Sequence, residues 1–346
     1  MSTTSPDPAG TSDHDFSDLA IAVVIPCLNE EVAIAKVVAD FRAALPGAEI
    51  YVYDNASTDD TAAAARAAGA IVREEPARGK GNVVRRMFSD VDADIYVLVD
   101  GDATYPADHA PAMIAKLLDA HLDMVSGARV AEQDAAYRPG HQFGNSLITN
   151  LVGLTFGQRF SDILTGYRVL SRRLVKSFPA LSKGFEIETE ITVHALEMRL
   201  PSAELSIPYF ERPEGSASKL RTIRHGISIF KTILILIKEE RPLEFFSLGC
   251  AVLELAAVVL AWPVVLEYLE TGLVPRFPTA ILATGLALLG FMSLACGLIL
   301  DTVTHRRREN KRLHYLALPA LPARQGPGGD GGDRDGAASG PRRTGQ

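Results

Sequence analysis

Short apolar runs alternate in the first half of the chain with longer segments whose apolar residues recur every three or four positions. Runs of this length, rich in β-branched and aromatic residues, are typical of buried strands. Six runs fit this description: residues 20–26, 49–53, 70–73, 95–99, 124–128 and 204–209. Because strands alternate with helices, we predict an α/β fold with a parallel sheet and right-handed crossovers.

The segments between these runs predict helices. Residues 31–44 carry an apolar stripe, formed by Val32, Val37, Val38 and Phe41, and Asn29 is positioned to cap that helix. We also expect helices over residues 144–156 and after Glu186. Single acids such as Glu186 and Glu190 are expected to serve as ion pairs or caps.

The last third of the chain is different, because it contains two long apolar runs. Phe245–Leu266 and Thr279–Leu300 are each long enough to cross a bilayer, and Glu254 is the only charged residue within them. Basic residues flank the pair and acidic residues dominate the connection, so the positive-inside rule places both flanks in the cytoplasm. Residues 222–238 predict an amphipathic helix, which either lies at the membrane interface or packs against the catalytic domain.

These patterns divide the chain into five parts. We expect a disordered tail, an α/β domain, a juxtamembrane helix, a transmembrane hairpin and a basic cytoplasmic segment with a second tail. Their bounds are residues 1–18, 19–221, 222–243, 244–302 and 303–346. The N-terminal tail has no basic and apolar segments of a signal peptide.

Composition changes this picture little but excludes some functions. The 346 residues are 47% hydrophobic, which is rich for a soluble enzyme and suggests a membrane part, and the formal charge of −7 argues against a nucleic-acid partner. Three isolated cysteines without metal-binding spacing predict free thiols in a reducing compartment.

The strongest candidate chemistry follows the strand at residues 95–99. Asp100 and Asp102 flank Gly101 at the carboxyl end of that strand, where open α/β sheets bind ligands. Two converging carboxylates favour a hard divalent cation, Mg²⁺ or Mn²⁺, that itself holds a diphosphate. A simple polar turn is the alternative for this stretch considered alone, since Asp-Gly is a common turn pair.

Two further loops carry polar residues after predicted strands. Asp54 suits hydrogen bonding to a ribose or a base edge, with turn or capping chemistry as the alternative. Arg78 and Lys80 stand beside two glycines in Arg-Gly-Lys-Gly, which suits a diphosphate, although a solvated basic loop has the same composition. Neither the P-loop nor the dinucleotide fingerprint is present.

In this order, the motifs resemble the family 2 glycosyltransferases of GT-A fold. The resemblance rests on Val-Ile-Pro with Asn-Glu, Asp54 to Thr61, the Arg-Gly-Lys-Gly loop and Asp-Gly-Asp. Gly-Ala-Arg at 127–129, residues 162–168 and Gly-Ser-Ala-Ser-Lys-Leu at 215–220 narrow it to the polyprenyl-phosphate glycosyltransferases, which include dolichol-phosphate mannose and glucose synthases. It covers residues 20 to 240 and implies a Rossmann-like, mostly parallel sheet with helices on both faces.

The resemblance also implies roles for individual residues. A nucleotide pocket is implied for Pro26, Glu30 and Asp54, with Arg78, Lys80 and Asp100 at the donor diphosphate. A metal site is implied for Asp100, Asp102 and Thr104, where Thr104 replaces a glutamine that is frequent in the family. Catalytic roles are implied for Asp102, for Arg129 at a phosphate and for Asp162 as a base or positioning group. The resemblance implies that Lys219 meets a phosphate of the donor or the acceptor. As further candidates for the acceptor phosphate we expect Arg168, Arg212 and Ser216.

The implied function is inverting transfer of a sugar from a nucleotide sugar to polyprenyl phosphate. We expect a UDP-hexose or UDP-N-acetylhexosamine as donor and undecaprenyl phosphate as acceptor. We further expect an enzyme of the bacterial cell envelope that lies in the inner membrane, with its catalytic domain and both termini in the cytoplasm. The resemblance implies a tetramer. Two alternatives remain at this point. A membrane-tethered glycosyltransferase with a non-lipid acceptor shares the donor pocket, and a non-catalytic scaffold would have lost the acidic pair or the basic loop.

Overall fold

A computed structural model describes residues 16–131, 160–184, 186–212 and 241–321. Its centre is a seven-stranded sheet with the strand order β3-β2-β1-β4-β6-β5-β7. The strands are β1 (Ile21–Cys27), β2 (Glu49–Asp54), β3 (Ile71–Glu74), β4 (Ile95–Leu98), β5 (Met124–Ala131), β6 (Arg168–Ser171) and β7 (Ser202–Tyr209). The six predicted strands therefore all form, each within a few residues of its expected bounds.

Eight α-helices connect or follow these strands in the described ranges. They are α1 (Glu31–Ala44), α2 (Thr61–Ala67), α3 (Lys80–Asp90), α4 (Ala110–Asp119), α5 (Arg172–Ser177), α6 (Ile187–Glu197), α7 (Pro242–Thr271) and α8 (Phe277–Leu316). A short 3-10 turn, Ala107–His109, precedes α4. The helix expected over residues 144–156 and the amphipathic helix expected over 222–238 lie outside the described residues.

Strand β6 is an element that the apolar pattern did not predict. It pairs antiparallel with both β4 and β5, whereas the other neighbouring strands pair in parallel. The sheet is thus mixed and mostly parallel, as expected, with one reversed strand in its interior. Because β6 is reversed, the loop before it lies at the end of the sheet where the parallel strands have their carboxyl ends.

Two hydrophobic cores cover the two faces of the sheet. Alternating residues of β1 divide between them, since Val24 belongs to one core and Val23 to the other. Helices α3, α5 and α6 cover the first face, and α1 and α4 cover the second. The helices on both faces explain why the strands read as continuous apolar runs.

Helix α1 differs from its prediction in two respects. Val32 is 54% exposed, and Ile34 takes its expected place in the core. Asn29 does not cap the helix, because its side-chain oxygen accepts from the Thr58 amide at 2.8 Å. The Glu31 amide instead donates to Asp59 at 3.3 Å, so the first turn is capped from the β2–α2 loop.

Helices α7 and α8 form an antiparallel hairpin, and each is long and apolar enough to cross a membrane. Leu248 and Trp262 are 68% and 64% exposed, so large apolar side chains face outward rather than into a protein core. Small residues line the contact between the helices: Ser293 donates to the Phe246 carbonyl at 2.9 Å. This composition is typical of helix pairs in membranes.

The C-terminal end of α8 leaves the hairpin and docks on the α/β domain. The Tyr315 hydroxyl donates to Asp123 at 2.7 Å, and Lys311 donates to Glu197 at 2.6 Å. The Arg173 guanidinium stacks over the Tyr315 ring, 4.9 Å from its centroid. The basic segment expected at the start of residues 303–346 is therefore helical and fixed to the domain, and residues 322–346 lie outside the described ranges.

Candidate functional site

Most of the predicted site residues lie at one end of the sheet, just after the carboxyl ends of β1, β2, β3, β4, β5 and β7. Asp162 and Arg168 lie at the amino end of β6, which reaches the same end of the sheet because β6 is reversed. Cys27 and Asp54 are paired in the β1–β2 register, so the predicted pocket residues Pro26, Glu30 and Asp54 share one corner of this edge. Ser216 and Lys219, predicted for the acceptor phosphate, lie outside the described residues. Carboxyl ends of parallel strands are where open α/β sheets bind ligands.

Asp102 is buried at this edge and is held from two sides. Its Oδ2 pairs with Arg212 Nη2 at 2.7 Å, and its Oδ1 accepts from Thr104 Oγ1 at 2.6 Å. Burial raises the pKa of the Asp102 carboxyl, and the charge of Asp100 raises it further, while Arg212 opposes both. The structure therefore brings the predicted metal residues together and adds Arg212, which was predicted for the acceptor phosphate.

Asp100 contacts a buried ammonium group. Lys80 Nζ donates to Asp100 Oδ1 at 2.5 Å and also to Glu188 Oε1. Burial alone would lower the pKa of Lys80, but the two carboxylates outweigh it and raise the pKa above the ordinary range. Burial raises the pKa of Glu188, against the opposing effect of Lys80. Lys80 is thus a fixed positive charge beside the acidic pair.

The loop that carries Lys80 passes very close to the segment before α6. Gly79 has φ 128°, and a Cβ there would lie 2.1 Å from the Lys183 carbonyl oxygen; a Cβ at Gly81 would lie 2.1 Å from that of Ser182. Both positions require glycine, because backbone cannot yield as a flexible side chain can. The glycines of the predicted diphosphate loop therefore serve close approach as well as turning.

The β2 corner contains a polar group without an internal partner. Asp54 is 7% exposed, and its Oδ2 accepts from the Ser57 amide at 3.2 Å. Its Oδ1 is buried and has no hydrogen-bond partner within the described part of the chain. Buried polar atoms are rarely left unpaired, so this oxygen is a candidate acceptor for a ligand N–H or O–H.

Asn55 ties this corner to the diphosphate loop, a role that the sequence did not reveal. Its amide donates to the carbonyls of Glu75 and Ala77 at 2.8 and 2.9 Å and accepts from the Gly79 amide at 2.7 Å. Arg78 reaches the same corner, donating to the Ala56 carbonyl at 3.3 Å. The β2 and β3 loops therefore form one connected wall.

Arg129 and Asp162 are partners rather than separate groups. Arg129 donates through Nε and Nη2 to the two oxygens of Asp162 at 2.6 and 2.9 Å, and its guanidinium stacks on Tyr209 at 5.4 Å. Both Asp162 oxygens also accept from nearby backbone amides. Asp162 is thus engaged as an anchor for Arg129, which favours the positioning role over that of a base.

Arg168 is positioned in a way that does not agree with its predicted contact to the acceptor phosphate. It is 0% exposed, and its guanidinium donates to the Thr165 and Ile163 carbonyls and to Thr192 Oγ1 at 2.7 to 3.2 Å. Burial lowers its pKa below the usual value. These contacts assign Arg168 a structural role, in which it closes the turn before β6 and ties it to α6.

Glu188 is the main site residue that the sequence did not identify. It follows Ile187 on α6, and its neighbours one helical turn later are Ile191 and Thr192, which are both buried. That spacing places the carboxylate on the inward face of the helix. Glu190, expected to be an ion pair or a cap, instead accepts from the Leu181 and Ser182 amides at 2.9 and 2.8 Å and so holds the loop before α6.

The acidic edge fits a divalent cation that keeps ligands from outside the protein. Asp100 and Asp102 each hold a basic side chain, so the pair already compensates positive charge, and carboxylate oxygens are the ligand type that Mg²⁺ and Mn²⁺ prefer. Across the four described ranges no three His, Cys, Asp or Glu side chains form a metal-binding group. A cation here would complete its shell with water or diphosphate oxygens.

Comparison with known sequences places this site in context. Residues 22–178 match the family described as Glycosyl transferase family 2. Glycosyltransferase AglJ of Haloferax volcanii is 32% identical over 305 residues, which is 86% of this chain and 98% of the relative. A dolichyl-phosphate hexose transferase of the same organism is 30% identical over 230 residues, covering 66% of this chain and 98% of that protein.

Solved structures show the same architecture. Glucosyl-3-phosphoglycerate synthase from Mycobacterium tuberculosis, in complex with Mn²⁺, UDP and glucosyl-3-phosphoglycerate, superposes with a TM-score of 0.54 and 22% identity. The similarity covers 68% of this chain and 85% of that one. The GT-A arrangement expected from the sequence is therefore confirmed at the level of the fold.

Proposed function

The chain belongs to glycosyl transferase family 2, and on this premise we propose that it transfers a sugar from a nucleoside diphosphate sugar to polyprenyl phosphate at a membrane surface. The observation that carries the proposal is the continuity of the GT-A domain with two long apolar helices whose outward faces are exposed. The similarity to a dolichyl-phosphate hexose transferase supports the same acceptor class. Helices of this kind would hold the site at the membrane surface, which is where a polyprenyl phosphate presents its phosphate group.

The donor would bind across the β1, β2 and β4 ends. Asp54 Oδ1 is available to accept from a ribose hydroxyl or a base N–H, and the wall formed by Asn55 and the Gly79 loop shapes the adjoining surface. We favour a UDP-hexose or UDP-N-acetylhexosamine. Lys80 and Arg78 place positive charge near the expected diphosphate.

In the proposed reaction, one oxygen of the acceptor phosphate attacks the anomeric carbon. The bond from that carbon to the donor diphosphate breaks, and the nucleoside diphosphate leaves with the bonding electrons. Because the attacking phosphate is already anionic, no general base is needed, and a single displacement inverts the anomeric carbon. Arg129 orients an anionic group in this scheme, since its guanidinium group is itself held by Asp162. Arg212, which contacts Asp102, is the second candidate cation for a phosphate.

Asp100 and Asp102, with Thr104 beside them, would hold Mg²⁺ or Mn²⁺, which supplies charge stabilisation to the leaving diphosphate. Lys80 acts in the same direction without a metal, because a fixed cation in a water-poor site stabilises developing negative charge. Arg212 would exchange its contact with Asp102 for one with a phosphate as the donor enters. Such an exchange keeps each charge compensated throughout.

The test is to incubate the detergent-solubilised protein with undecaprenyl phosphate, Mn²⁺ or Mg²⁺ and a panel of UDP- and GDP-sugars, and to analyse the lipid by mass spectrometry. A lipid mass increased by one hexose or one N-acetylhexosamine supports the proposal. Asp102→Ala should retain the fold, as judged by its thermal unfolding, and lose turnover. Nucleotide release without a lipid product would instead indicate a non-lipid acceptor, and absence of turnover with every donor would contradict the enzyme assignment.

A further inference from the structure

Glu188 has no role in the reaction described so far, but its carboxylate binds the same lysine as Asp100 does. Its carboxylate meets Lys80 Nζ, whose other partner is Asp100 Oδ1 at 2.5 Å. Side-chain exposures are 8% for Lys80 and 9% for Glu188, but 27% for Asp100. The ammonium group is therefore shared between one enclosed carboxylate and one that is partly exposed.

The two carboxylates also differ in how firmly they are held. Glu188 belongs to the first turn of α6, where Thr192 Oγ1 donates to the Glu188 carbonyl at 3.2 Å and accepts from Arg168 at 2.8 Å. Glu190 of the same turn holds the backbone of residues 181–182, against which the diphosphate loop lies. Glu188 thus belongs to a helix turn that is held by several hydrogen bonds, while Asp100 is the more exposed of the two partners.

A buried ammonium group cannot lose all its counter-charge without a large cost. A divalent cation held by Asp100 and Asp102 would compete with Lys80 for the Asp100 carboxylate and weaken their contact. With Glu188 present, Lys80 retains a carboxylate partner during this change. Without the charge of Glu188, Lys80 would hold Asp100 as its sole partner and compete directly with the metal.

We infer that Glu188 is a positioning residue that holds the Lys80 ammonium group and thereby frees Asp100 to bind the divalent cation that accompanies the donor. The inference rests on the proposed function for the presence of the cation, but it requires neither a particular sugar nor a lipid acceptor. Removing the charge of Glu188 should weaken metal binding even when no donor or acceptor is present.

The experiment measures Mn²⁺ binding by the decrease of the free Mn²⁺ electron paramagnetic resonance signal in the purified full-length protein. Glu188→Gln is nearly isosteric and should weaken Mn²⁺ binding on the order of tenfold, within the usual range of coupling between sites. Glu186→Gln, two residues earlier in the chain, is the matched control and should bind Mn²⁺ as wild type does. Thermal unfolding of each variant checks that the fold is retained.

A double-mutant cycle separates an effect through Lys80 from a direct electrostatic one. In a Lys80→Met background, Glu188→Gln should cause no further loss of Mn²⁺ affinity, because the side chain through which Glu188 acts is gone. An equal loss in both backgrounds would overturn the inference, as would wild-type affinity in the single variant. Protein that binds Mn²⁺ as predicted but transfers no sugar to the lipid would contradict the proposed acceptor and leave the role of Glu188 supported.

Discussion

Gly166 offers the sharpest test of the site geometry, because a single methyl group there should displace a candidate metal ligand. A Cβ built at Gly166 would lie 2.2 Å from Asp100 Oδ2 and 2.7 Å from its Cγ. The Gly166 amide donates to the Tyr105 hydroxyl at 2.9 Å, so the backbone is fixed on its other side. Gly166→Ala should therefore move the Asp100 carboxylate rather than the backbone at position 166.

The size of the movement follows from the contact distances. Ordinary contact begins at 3.4 Å, so the Asp100 carboxylate must retreat by about 1 Å, and its 2.5 Å contact with Lys80 will be lost or rearranged. Misplacement of a catalytic group by ~1 Å costs about 100-fold in rate. We expect kcat/KM to fall by about that factor, equivalent to roughly 2.7 kcal/mol in the activation free energy.

The assay compares sugar transfer and Mn²⁺ dependence in Gly166→Ala and Gly47→Ala. Gly47 is the matched control, because a Cβ at that position would meet nothing within 4 Å. The control should retain wild-type kcat/KM, and both variants should unfold at temperatures near that of wild type. Wild-type activity and metal dependence in Gly166→Ala would refute the assignment of Asp100 to the metal and diphosphate.

Three further outcomes are expected. Asp54→Asn should raise the KM for the nucleotide sugar about tenfold with little change in kcat, since one hydrogen bond to a charged acceptor contributes about 1.5 kcal/mol; an unchanged KM would remove Asp54 from the pocket. Tyr315→Phe should lower the free energy of unfolding by about 1–2 kcal/mol, measured by urea denaturation, because buried Asp123 loses a donor, whereas unchanged stability would contradict the docking of α8. Burial lowers the pKa of His194 from 6.5 to about 3, so between these pH values the unfolded state binds a proton that the folded state does not. The free energy of unfolding should therefore fall by up to about 1.4 kcal/mol per pH unit as the pH decreases through this window. His194→Gln should remove that slope, and an unaltered acid transition would contradict the role of His194.

The strands could be predicted because burial on both faces leaves a continuous apolar run, which any window of the sequence reveals. Strand β6 could not, since it has four residues and begins with Arg168, whose burial depends on acceptors supplied by its own turn and by Thr192 of α6. The same limitation explains the assignment of Arg168 to the acceptor phosphate. An arginine in a sequence indicates a surface cation unless its partners are known.

The candidate site shows the same division between local and distant information. Asp100, Asp102 and Asp54 were predictable because each follows a strand, and the topology brings strand ends together. Glu188 was not predictable, because its role depends on its contact with Lys80, which lies more than a hundred residues earlier in the chain. The role of a polar residue can thus be predicted where its position after a strand determines it. The role cannot be predicted where it depends on a charged partner far away in the sequence.

Helix α8 has a mechanical consequence if the hairpin crosses a bilayer as proposed. Its 40 residues form a rod about 60 Å long, of which a bilayer's hydrocarbon core takes about half. The remaining turns are fastened to the α/β domain through Tyr315 and Lys311. A change in bilayer thickness that tilts the rod would therefore tilt the catalytic domain with it, so the lipid composition of the membrane would set the angle at which the site faces its acceptor.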